Sequence, residues 1–490
     1  MNGCLDKWIT AAGGGAPAFS PCERARFVAI PTVLTIGQGT RLNAADPGPV
    51  KLWRMKSFAV ILCLLAAQMT TGWAAAELVD EPQILAGTEA RILQNRTAPL
   101  TIQVLDAGDK PLANQKVTLK HAGHLFHFGA GFDRGLLPRP NKNEADRRHR
   151  ENFLKIFNYA TLHLYWGSYE PTQGGDKHAE LLQSAQWLHD QGLVARGHPL
   201  FWNHLQTVPR WVEAQATNWN SLSQLMDVRV EQLAKTVLPE LEDADVFNEL
   251  VQWNRFTNAF KYMTDSSKVE VVTHYLKEFR RLSPNLKLVI NDYDTAPSYH
   301  QLLKTLIEAG APVDIIGQQC HMHDGPWSVT KTWEVLNRLS QLKRPILMSE
   351  LSVLSGPKRQ MDWYNNVPGW NTDPENEQKQ ADFLEQWYRL VYSHSNTVGI
   401  VVWNYTDRRA WLGAPVGFLR KDGTPKPAFE RLDALINKQW RTNGEFTTDE
   451  RGRVMVPQAY EGWYEAKCGL LTVRKKHSAA APLKCLLNLP

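Results

Sequence analysis

The sequence predicts an α/β fold, a (β/α)8 TIM barrel with a small β-rich appendage formed by the N- and C-terminal flanks. From about residue 121 to 437, short apolar runs alternate with amphipathic helical stretches, a pattern typical of parallel strands and their crossover helices. Eight such repeats can be counted. Nearly every apolar run also ends in a polar or aromatic residue. In this fold such residues line the active-site mouth, so we assign 121–437 to a catalytic barrel.

The strands and helices of the barrel can be placed from these runs. The eight predicted strands are 125–132, 159–166, 193–200, 244–250, 287–293, 314–322, 345–351 and 399–405. The clearest helical segments between them are 178–191, 222–237, 269–282 and 378–393. Each strand is short and each helix is longer, as the (β/α) repeat requires.

Both flanks of the barrel have β-like patterns. Residues 100–105 and 115–120 alternate in polarity around a turn at 106–109, which predicts a hairpin within a β-rich segment 77–120. Residues 438–475 contain short strand patterns around Asn443-Gly444 and Arg451-Gly452. We therefore expect the two flanks to form one sandwich-like appendage. No pattern can be read over 476–490, which predicts a disordered tail.

The N-terminus has the pattern of a targeting segment. Lys56 follows Met55, an apolar run covers 58–67, and small residues at 74–76 fit a cleavage site, so 55–76 is predicted to be a signal peptide. This places the true start at Met55, the mature N-terminus near Glu77, and 1–54 upstream as a leader. The alternative, a translated and disordered leader, stays open. We expect a secreted or periplasmic protein that is free of the membrane after signal cleavage.

Composition bears on the partners of the chain. Lys and Arg number 55 against 50 Asp and Glu, with no basic stripe, which excludes a nucleic-acid partner. The 18 Trp residues exceed what a core needs, and flat aromatic faces suit sugar rings. We expect a polysaccharide partner and a monomeric protein.

Cysteine and histidine spacing gives no sign of a metal site. Cys320, Cys468 and Cys485 follow no metal-binding spacing, so no metal and no cofactor are expected. Pairing of Cys468 with Cys485 stays open. His121, His124 and His127 are predicted to lie on one strand that enters the barrel floor, where they would be structural, and this disfavours a metal hydrolase.

Two glutamates end apolar runs about a hundred residues apart. Glu249 follows Asn248 at the end of the fourth predicted strand, and Glu350 follows Ser349 on the seventh. Cleavage of a glycosidic bond needs an acid and a second carboxylate that meets the sugar carbon. Partial burial would raise the pKa of Glu249 and suit it to the acid role. Gln319 and His321 end the strand between them, where an imidazole could orient a nucleophilic carboxylate.

Eight segments carry a resemblance to a known family, and they occur in this order: Arg196-Gly197-His198-Pro199-Leu200-Phe201-Trp202, Gln206-Thr207-Val208-Pro209-Arg210-Trp211, Asp245-Val246-Phe247-Asn248-Glu249, Ile290-Asn291-Asp292-Tyr293, Gly317-Gln318-Gln319-Cys320-His321, Ser349-Glu350-Leu351, Val402-Trp403-Asn404-Tyr405-Thr406-Asp407 with Trp411, and Lys426-Pro427-Ala428-Phe429. Together they resemble glycoside hydrolase family 10, the retaining endo-β-1,4-xylanases, over roughly 125–436.

The resemblance implies roles for these residues. Glu249 would be the acid/base and Glu350 the nucleophile, and Asn248 would contact the sugar 2-hydroxyl. Gln319 and His321 would support them, with His321 bracing the nucleophile. The expected substrate-binding residues are His198, Trp202, Asn203, Tyr165, Trp166, Asn291, Tyr293, Trp403 and Trp411.

The sequence departs from the family pattern on the second strand. Family members usually carry a Glu-Asn pair and a Lys there, whereas 157–166 lacks the pair and has Tyr165 for the Lys. Asn203 and Ser352 stand where the family has His and Asp. We therefore expect weak, less xylose-selective glycone binding and poor activity on short linear xylo-oligosaccharides. Two alternatives stay open, a retaining β-glycanase acting on another plant polysaccharide and a non-catalytic carbohydrate-binding relative.

Overall fold

The computed structural model describes residues 81–138, 143–263 and 268–489. Its strands are β1 (Thr97–Leu105), β2 (Lys116–His124), β3 (His127–Gly131), β4 (Tyr159–His163), β5 (Val194–His198), β6 (Phe201–Trp202), β7 (Asp243–Asn248), β8 (Lys287–Asp292), β9 (Ile315–Gln318), β10 (His321–Met322), β11 (Ile346–Val353), β12 (Thr397–Val402), β13 (Gly444–Thr447), β14 (Arg453–Tyr460), β15 (Gly462–Cys468), β16 (Leu471–His477) and β17 (Lys484–Asn488).

The α-helices of the described residues are α1 (Glu81–Ala86), α2 (Thr88–Arg96), α3 (Glu144–Ile156), α4 (Trp166–Tyr169), α5 (His178–Asp190), α6 (Arg210–Gln215), α7 (Trp219–Thr236), α8 (Lys268–Leu282), α9 (Pro297–Glu308), α10 (Val329–Ser340), α11 (Pro374–Ser393) and α12 (Pro427–Ala434). Residues at the N-terminus of several of these helices explain why each helix begins there. Asn218 and Ser221 form a capping box at α7, and a proline occupies the first turn of α9, α11 and α12.

Parallel strands close into the predicted (β/α)8 barrel in the order β3-β4-β5-β7-β8-β9-β11-β12. The barrel closes where Gly399–Val402 of β12 pairs with His127–Ala130 of β3. The short strands β6 and β10 continue the line of β5 and β9 and pair with β7 and β11. Every residue of β7 and β11 is buried, because helices cover one face of each strand and the barrel interior the other.

The appendage is a two-sheet sandwich that draws strands from both flanks, as predicted. One sheet has the order β14-β1-β17 and the other β13-β2-β15-β16. Apolar residues of both sheets share one core, including Ile102 of β1, Leu119 of β2 and Leu487 of β17. Cys468 and Cys485 are both buried and both free.

Three local predictions for the flanks are wrong. Strands β1 and β2 do not form a hairpin, because β1 pairs with β14 and β17 while β2 pairs with β13 and β15, so the two lie in facing sheets. The expected disordered tail contains β17, which pairs in parallel with β1 and buries Cys485 and Leu487. Residues 81–96, expected to be β-rich, form α1 and α2.

Helix α2 is held by a contact distant in sequence. The guanidinium of Arg96 donates to the main-chain oxygens of Tyr392 (2.7 Å) and His394 (2.6 Å) at the end of α11, and of Thr397 (2.9 Å) at the start of β12. A helix this short is not stable by local propensity alone. Packing against the floor of the barrel therefore stabilises it.

The three histidines that were predicted to share one strand lie on two different strands. His121 and His124 lie on β2 of the sandwich, whereas His127 begins β3 of the barrel. The rings of His121 and His124 contact each other at 4.6 Å, and His121 stacks on Tyr464 at 4.8 Å. These are packing contacts, which agrees with the prediction that the histidines have a structural role. The leader, signal-peptide and start-site predictions fall outside the described residues.

Candidate active site

Glu249 and Glu350 lie at the mouth of the barrel on two different strands. Glu350 is a buried residue within β11, and Glu249 follows the last residue of β7. The backbone of Glu249 has a φ of +60°, an uncommon conformation for a residue other than glycine. Its N–H donates to the oxygen of Asn291 on β8, at 2.8 Å, which holds the strained turn in place. Such strain is concentrated at functional sites.

Glu350 is surrounded by hydrogen-bond donors. Asn291 Nδ2 donates to its Oε1 at 2.7 Å, and His321 Nε2 lies 3.0 Å from its Oε2. The other ring nitrogen of His321 lies 3.0 Å from the hydroxyl of Ser352, which fixes the ring. Burial alone would raise the pKa of Glu350, but His198, His321 and Arg196 together lower it to about 2. The carboxylate is therefore ionised at neutral pH.

A buried cluster of charges lies directly behind Glu350. Arg196 donates through Nη2 to both carboxylate oxygens of Asp245, and its Nε lies 3.3 Å from Asp243. His198 Nδ1 lies 2.5 Å from Asp245 and 3.7 Å from Glu350. Removing one partner of such a buried pair typically costs about 3–5 kcal/mol, because the other charge is left uncompensated. The cluster thus holds His198 rigidly against the carboxylate.

Glu249 has a different environment. Arg255 Nη2 lies 3.1 Å from its Oε2, and Gln319 Nε2 donates to its Oε1 at 3.3 Å. Burial raises the pKa of Glu249 and the charge of Glu350 raises it further, whereas Arg255, Gln319 and Trp202 lower it, so that it reaches about 7. Of the two carboxyl groups, this is the one that can hold a proton near neutral pH.

Side-chain amides connect the two carboxyl groups. Asn248 Oδ1 accepts from Asn291 Nδ2 at 2.8 Å and from Gln319 Nε2 at 3.2 Å. Asn291 Nδ2 also bonds to Glu350, and Gln319 to Glu249, so a continuous chain of hydrogen bonds runs between them. A Cβ at Gly317 would lie 2.5 Å from Asn291 Oδ1, so only glycine leaves room for this amide.

Aromatic rings form one wall of the cleft. Tyr165 is half-buried and stacks on His163, with ring centroids 5.5 Å apart. Trp403 meets the edges of His163 and His198 at 5.2 Å each. Trp202 lies 5.8 Å from Tyr165 and connects this wall to Glu249. The wall therefore offers aromatic faces where the family pattern has charged and amide side chains.

The remaining predicted residues divide between the cleft and the core. Trp411 lies 5.0 Å from the ring of His321, and Tyr293 is exposed, with its hydroxyl 3.4 Å from Arg255. Trp166 and Asn203, predicted to bind substrate, do not line the cleft. Trp166 is 4% exposed and packs on Phe201 and Trp211, and Asn203 is 4% exposed and donates to main-chain oxygens of the loop after β7.

Several site residues were not singled out from the sequence. Arg196 and Asp245 carried a usable signal, since a charged residue inside an apolar strand must have a partner. His163 carried a weaker signal as a polar residue near a strand end. Arg255 gave none, because it ends a single 3-10 turn in the connection after β7 and reaches Glu249 only through the fold.

One group of side chains could hold a cation by distance alone. Ligand atoms of His198, Asp245 and Glu350 lie within 4.8 Å of one another. However, Arg196 already pairs with Asp245, so the protein itself supplies positive charge to this cluster. A cation placed there would meet the guanidinium at close range. The donor set therefore fits a hydrogen-bonded cluster better than a metal centre.

The mouth of this (β/α)8 barrel thus carries one carboxyl group that holds a proton and one that stays ionised. Glycoside hydrolases use this arrangement. The family model described as Glycosyl hydrolase family 10 matches residues 126–434. The chain belongs to this family. The sequence resemblance is thereby confirmed.

The relatives of the chain differ in how much of their own length the chain matches. Endo-1,4-beta-xylanase 3 of Hypocrea jecorina is 27% identical over 397 residues, covering 77% of this chain and 99% of that protein. Anti-sigma-I factor RsgI6 of Acetivibrio thermocellus is 26% identical over 371 residues, covering 74% of this chain. This chain spans only 44% of the length of that factor.

Solved structures share the fold. Xylanase 10B from Thermotoga petrophila, in complex with xylobiose, superposes with a TM-score of 0.54 and 17% identity, over 64% of this chain and 95% of that one. A GH10 structure from Paenibacillus barcinonensis gives 0.53 and 21%, over 63% and 94%. At these identities the likeness shows the barrel fold alone.

The pKa difference predicts the pH dependence of activity. Glu249 must be protonated to act as the acid, so kcat/KM should fall about tenfold per pH unit above pH 7, while the acid limb set by Glu350 should begin only near pH 2. Because Arg255 lowers the pKa of Glu249, Arg255→Gln should move the alkaline limb to higher pH. A pH profile of kcat/KM for both proteins measures this. An unmoved alkaline limb in the variant would contradict the role of Arg255.

Proposed function

We propose that this enzyme cleaves internal β-1,4 linkages of xylan by a retaining double displacement. The observation that carries the proposal is the opposite environment of the two carboxyl groups, with the pKa of Glu249 raised to about 7 and that of Glu350 lowered to about 2. Paired carboxyl groups whose pKa values are driven apart are typical of an acid/base and its partner. The name of the fungal relative supports xylan as the substrate.

In the first step, Glu350 attacks the anomeric carbon while Glu249 gives its proton to the leaving oxygen. The bond from carbon to that oxygen breaks, and an ester between the sugar and Glu350 forms. Asn291 and His321 hold the attacking carboxylate in one orientation. Pre-orientation of this kind lowers the barrier, because fewer motions have to be arrested in the transition state.

In the second step, Glu249 is a carboxylate and removes a proton from water, which attacks the same carbon and releases Glu350. Two inversions give net retention. Arg255, which lies 3.1 Å from Glu249, stabilises the ionised form that this step needs. Asn248, tied to both carboxyl groups through Asn291 and Gln319, is placed to contact the sugar 2-hydroxyl.

The glycone side is where the substrate could differ from that of other family members. Tyr165 and His163 offer stacked ring faces, which contribute roughly 0.5–1.5 kcal/mol per contact and discriminate little between sugars. Hydrogen bonds to charged groups contribute about 1.5–3 kcal/mol and are directional. Another plant β-glycan is therefore the second candidate substrate.

The stereochemical course tests the mechanism. We expect NMR of the first product from xylohexaose or soluble xylan to show the β-anomer, because retention requires two displacements at one carbon. An initial α-anomer would contradict the proposal. Hydrolysis of mixed-linkage glucan but not xylan would keep the mechanism and change the substrate. Binding of either glycan without any release of reducing ends would favour the carbohydrate-binding alternative.

We also propose that the mature chain is exported and acts as a monomer. The apolar run at 58–67 and the small residues at 74–76 support export. A polysaccharide too large to enter a cell fits an exported enzyme. Within the described part of the chain, none of the helices has the length and apolarity needed to cross a membrane.

A further inference from the structure

The loop between β11 and α11, residues 355–373, is closed at its base and is called the strap here. Thr372 Oγ1 donates to the main-chain oxygen of Ser355 at 2.7 Å, and the N–H of Asp373 donates to the same oxygen at 3.1 Å. Lys426 is buried, donates to the Ser355 hydroxyl at 2.7 Å and pairs with Asp407 at 2.7 Å. The two ends of the strap are therefore fixed next to each other.

The middle of the strap is anchored on the loop that follows β12. The N–H of Val367 donates to the oxygen of Leu412 at 2.8 Å. Trp370 is buried in a small apolar cluster with Leu412 and Val416, and its ring N–H donates to the oxygen of Pro357 at 2.7 Å. Anchored at its base and its middle, the strap projects residues 362–365 as a fixed tip.

The tip places two neighbouring aromatic residues against opposite walls of the cleft. Trp363 lies 5.7 Å from Trp411 and 5.8 Å from His323. Trp411 contacts His321, which holds the nucleophile Glu350. This side of the tip therefore lies next to the nucleophile.

Tyr364 contacts the other wall. Its ring stacks on His204, with centroids 6.1 Å apart, and His204 stacks on Trp202 at 4.5 Å. Trp202 in turn lies close enough to Glu249 to lower the pKa of its carboxyl group. Two consecutive residues thus connect the wall of Glu350 to the wall of Glu249, and the backbone between their rings crosses the cleft.

The tip retains exposed aromatic surface and a strained backbone. Trp363 is 40% exposed and Tyr364 is 53% exposed, so much of each ring is available to a ligand. Trp363 has a φ of +65°, unusual for a bulky residue. Asp362 Oδ1 holds this turn by accepting from the N–H groups of Tyr364 (3.0 Å) and Asn365 (2.8 Å). A strained residue held by its neighbours and exposed to a cleft indicates a functional role.

We propose that Trp363 and Tyr364 are specificity-determining residues that clamp an unbranched sugar segment in the cleft and exclude branched ones. A sugar beneath the tip gains contact with the two rings. A substituent on that sugar that points out of the cleft meets the backbone between Trp363 and Tyr364. This inference rests on the proposed function, and it assigns to the strap part of the glycan binding that the missing charged residues of the second strand do not supply.

The test compares linear and branched substrates. In the Trp363→Ala/Tyr364→Ala double variant, kcat/KM on linear xylohexaose should fall about tenfold, mainly through KM, because two ring contacts are lost. The ratio of kcat/KM on xylan with single-sugar branches to that on xylohexaose should rise more than tenfold. Trp463→Ala is the matched control, since Trp463 is 41% exposed on β15 of the sandwich, and it should leave the ratio unchanged.

Two controls separate the loss of ring contacts from a loss of fold. The double variant should unfold near the wild-type temperature, and Trp363→Phe/Tyr364→Phe, which keeps aromatic rings, should recover part of the kcat/KM on xylohexaose. An unchanged ratio in a folded double variant would overturn the inference. If the wild-type enzyme hydrolyses no glycan, the proposed function fails instead. In that case the proposed role of the strap is tested by binding alone, through Trp fluorescence titration with the linear and branched oligosaccharides. Equal affinities in the wild type and the double variant would overturn that role.

Discussion

Glu350→Ala is expected to abolish turnover on every substrate, by on the order of 10⁵-fold or more. Without this carboxylate no ester to the sugar can form, and an activated leaving group cannot replace it. Steady-state rates on xylan and on a dinitrophenyl β-xyloside measure the effect. Residual activity on the aryl xyloside within a hundredfold of wild type would remove Glu350 from the nucleophile role.

The fold of that variant needs a control, because Glu350 lies among buried charges. Alanine removes the hydrogen-bond partner of His321 Nε2 and one acceptor of Asn291 Nδ2, so Glu350→Gln, which keeps the shape, should unfold closer to the wild-type temperature and be equally inactive. Glu242→Ala is the matched control, since Glu242 pairs with Lys287 at the opposite end of the barrel. It should retain wild-type activity.

Glu249→Ala is expected to lose about 10²–10⁴-fold on xylan, where the leaving oxygen must be protonated. On a dinitrophenyl xyloside the first step should be spared, because that leaving group needs no proton. Azide should then restore turnover and give a β-glycosyl azide, since a small anion can enter the space of the missing carboxyl group and attack the ester. NMR of the product identifies the azide adduct. Equal loss in the Glu249 and Glu350 variants on the aryl substrate would show that the two roles are assigned wrongly.

The barrel and its two carboxyl groups could be predicted from local pattern. Strands β7 and β11 are buried on both faces, and short apolar runs mark them in the sequence, Val246-Phe247 in β7 and Ile346-Leu347-Met348 in β11. The carboxyl ends of parallel strands meet at one mouth of a barrel, so a glutamate at the end of each run is placed near the other by topology alone. The sequence alone therefore predicts that Glu249 and Glu350 share one site.

The properties of those carboxyl groups needed the tertiary structure. Expected burial predicted the raised pKa of Glu249, but Arg255 reaches this carboxyl group from a short 3-10 turn after β7, whose position in space no sequence pattern predicts. The lowered pKa of Glu350 depends on His198, His321 and Arg196, which come from two other strands. Charges act through space, and distances between residues far apart in sequence are set only when the barrel closes.

Sequence pattern also could not tell which of several similar residues face the cleft. Tyr165 and Trp166 are neighbours with the same aromatic character, yet the helix that starts between them turns Trp166 into the core. Strand β17 has no pairing signal of its own and forms because β1 offers an open edge. The sequence alone thus determined the barrel and the positions of its carboxylates, because periodicity and strand ends are local. Only the tertiary structure decided the protonation states of the two carboxyl groups, the residues that form the walls of the cleft, and the position of the strap. Each of these depends on contacts between segments distant in the chain.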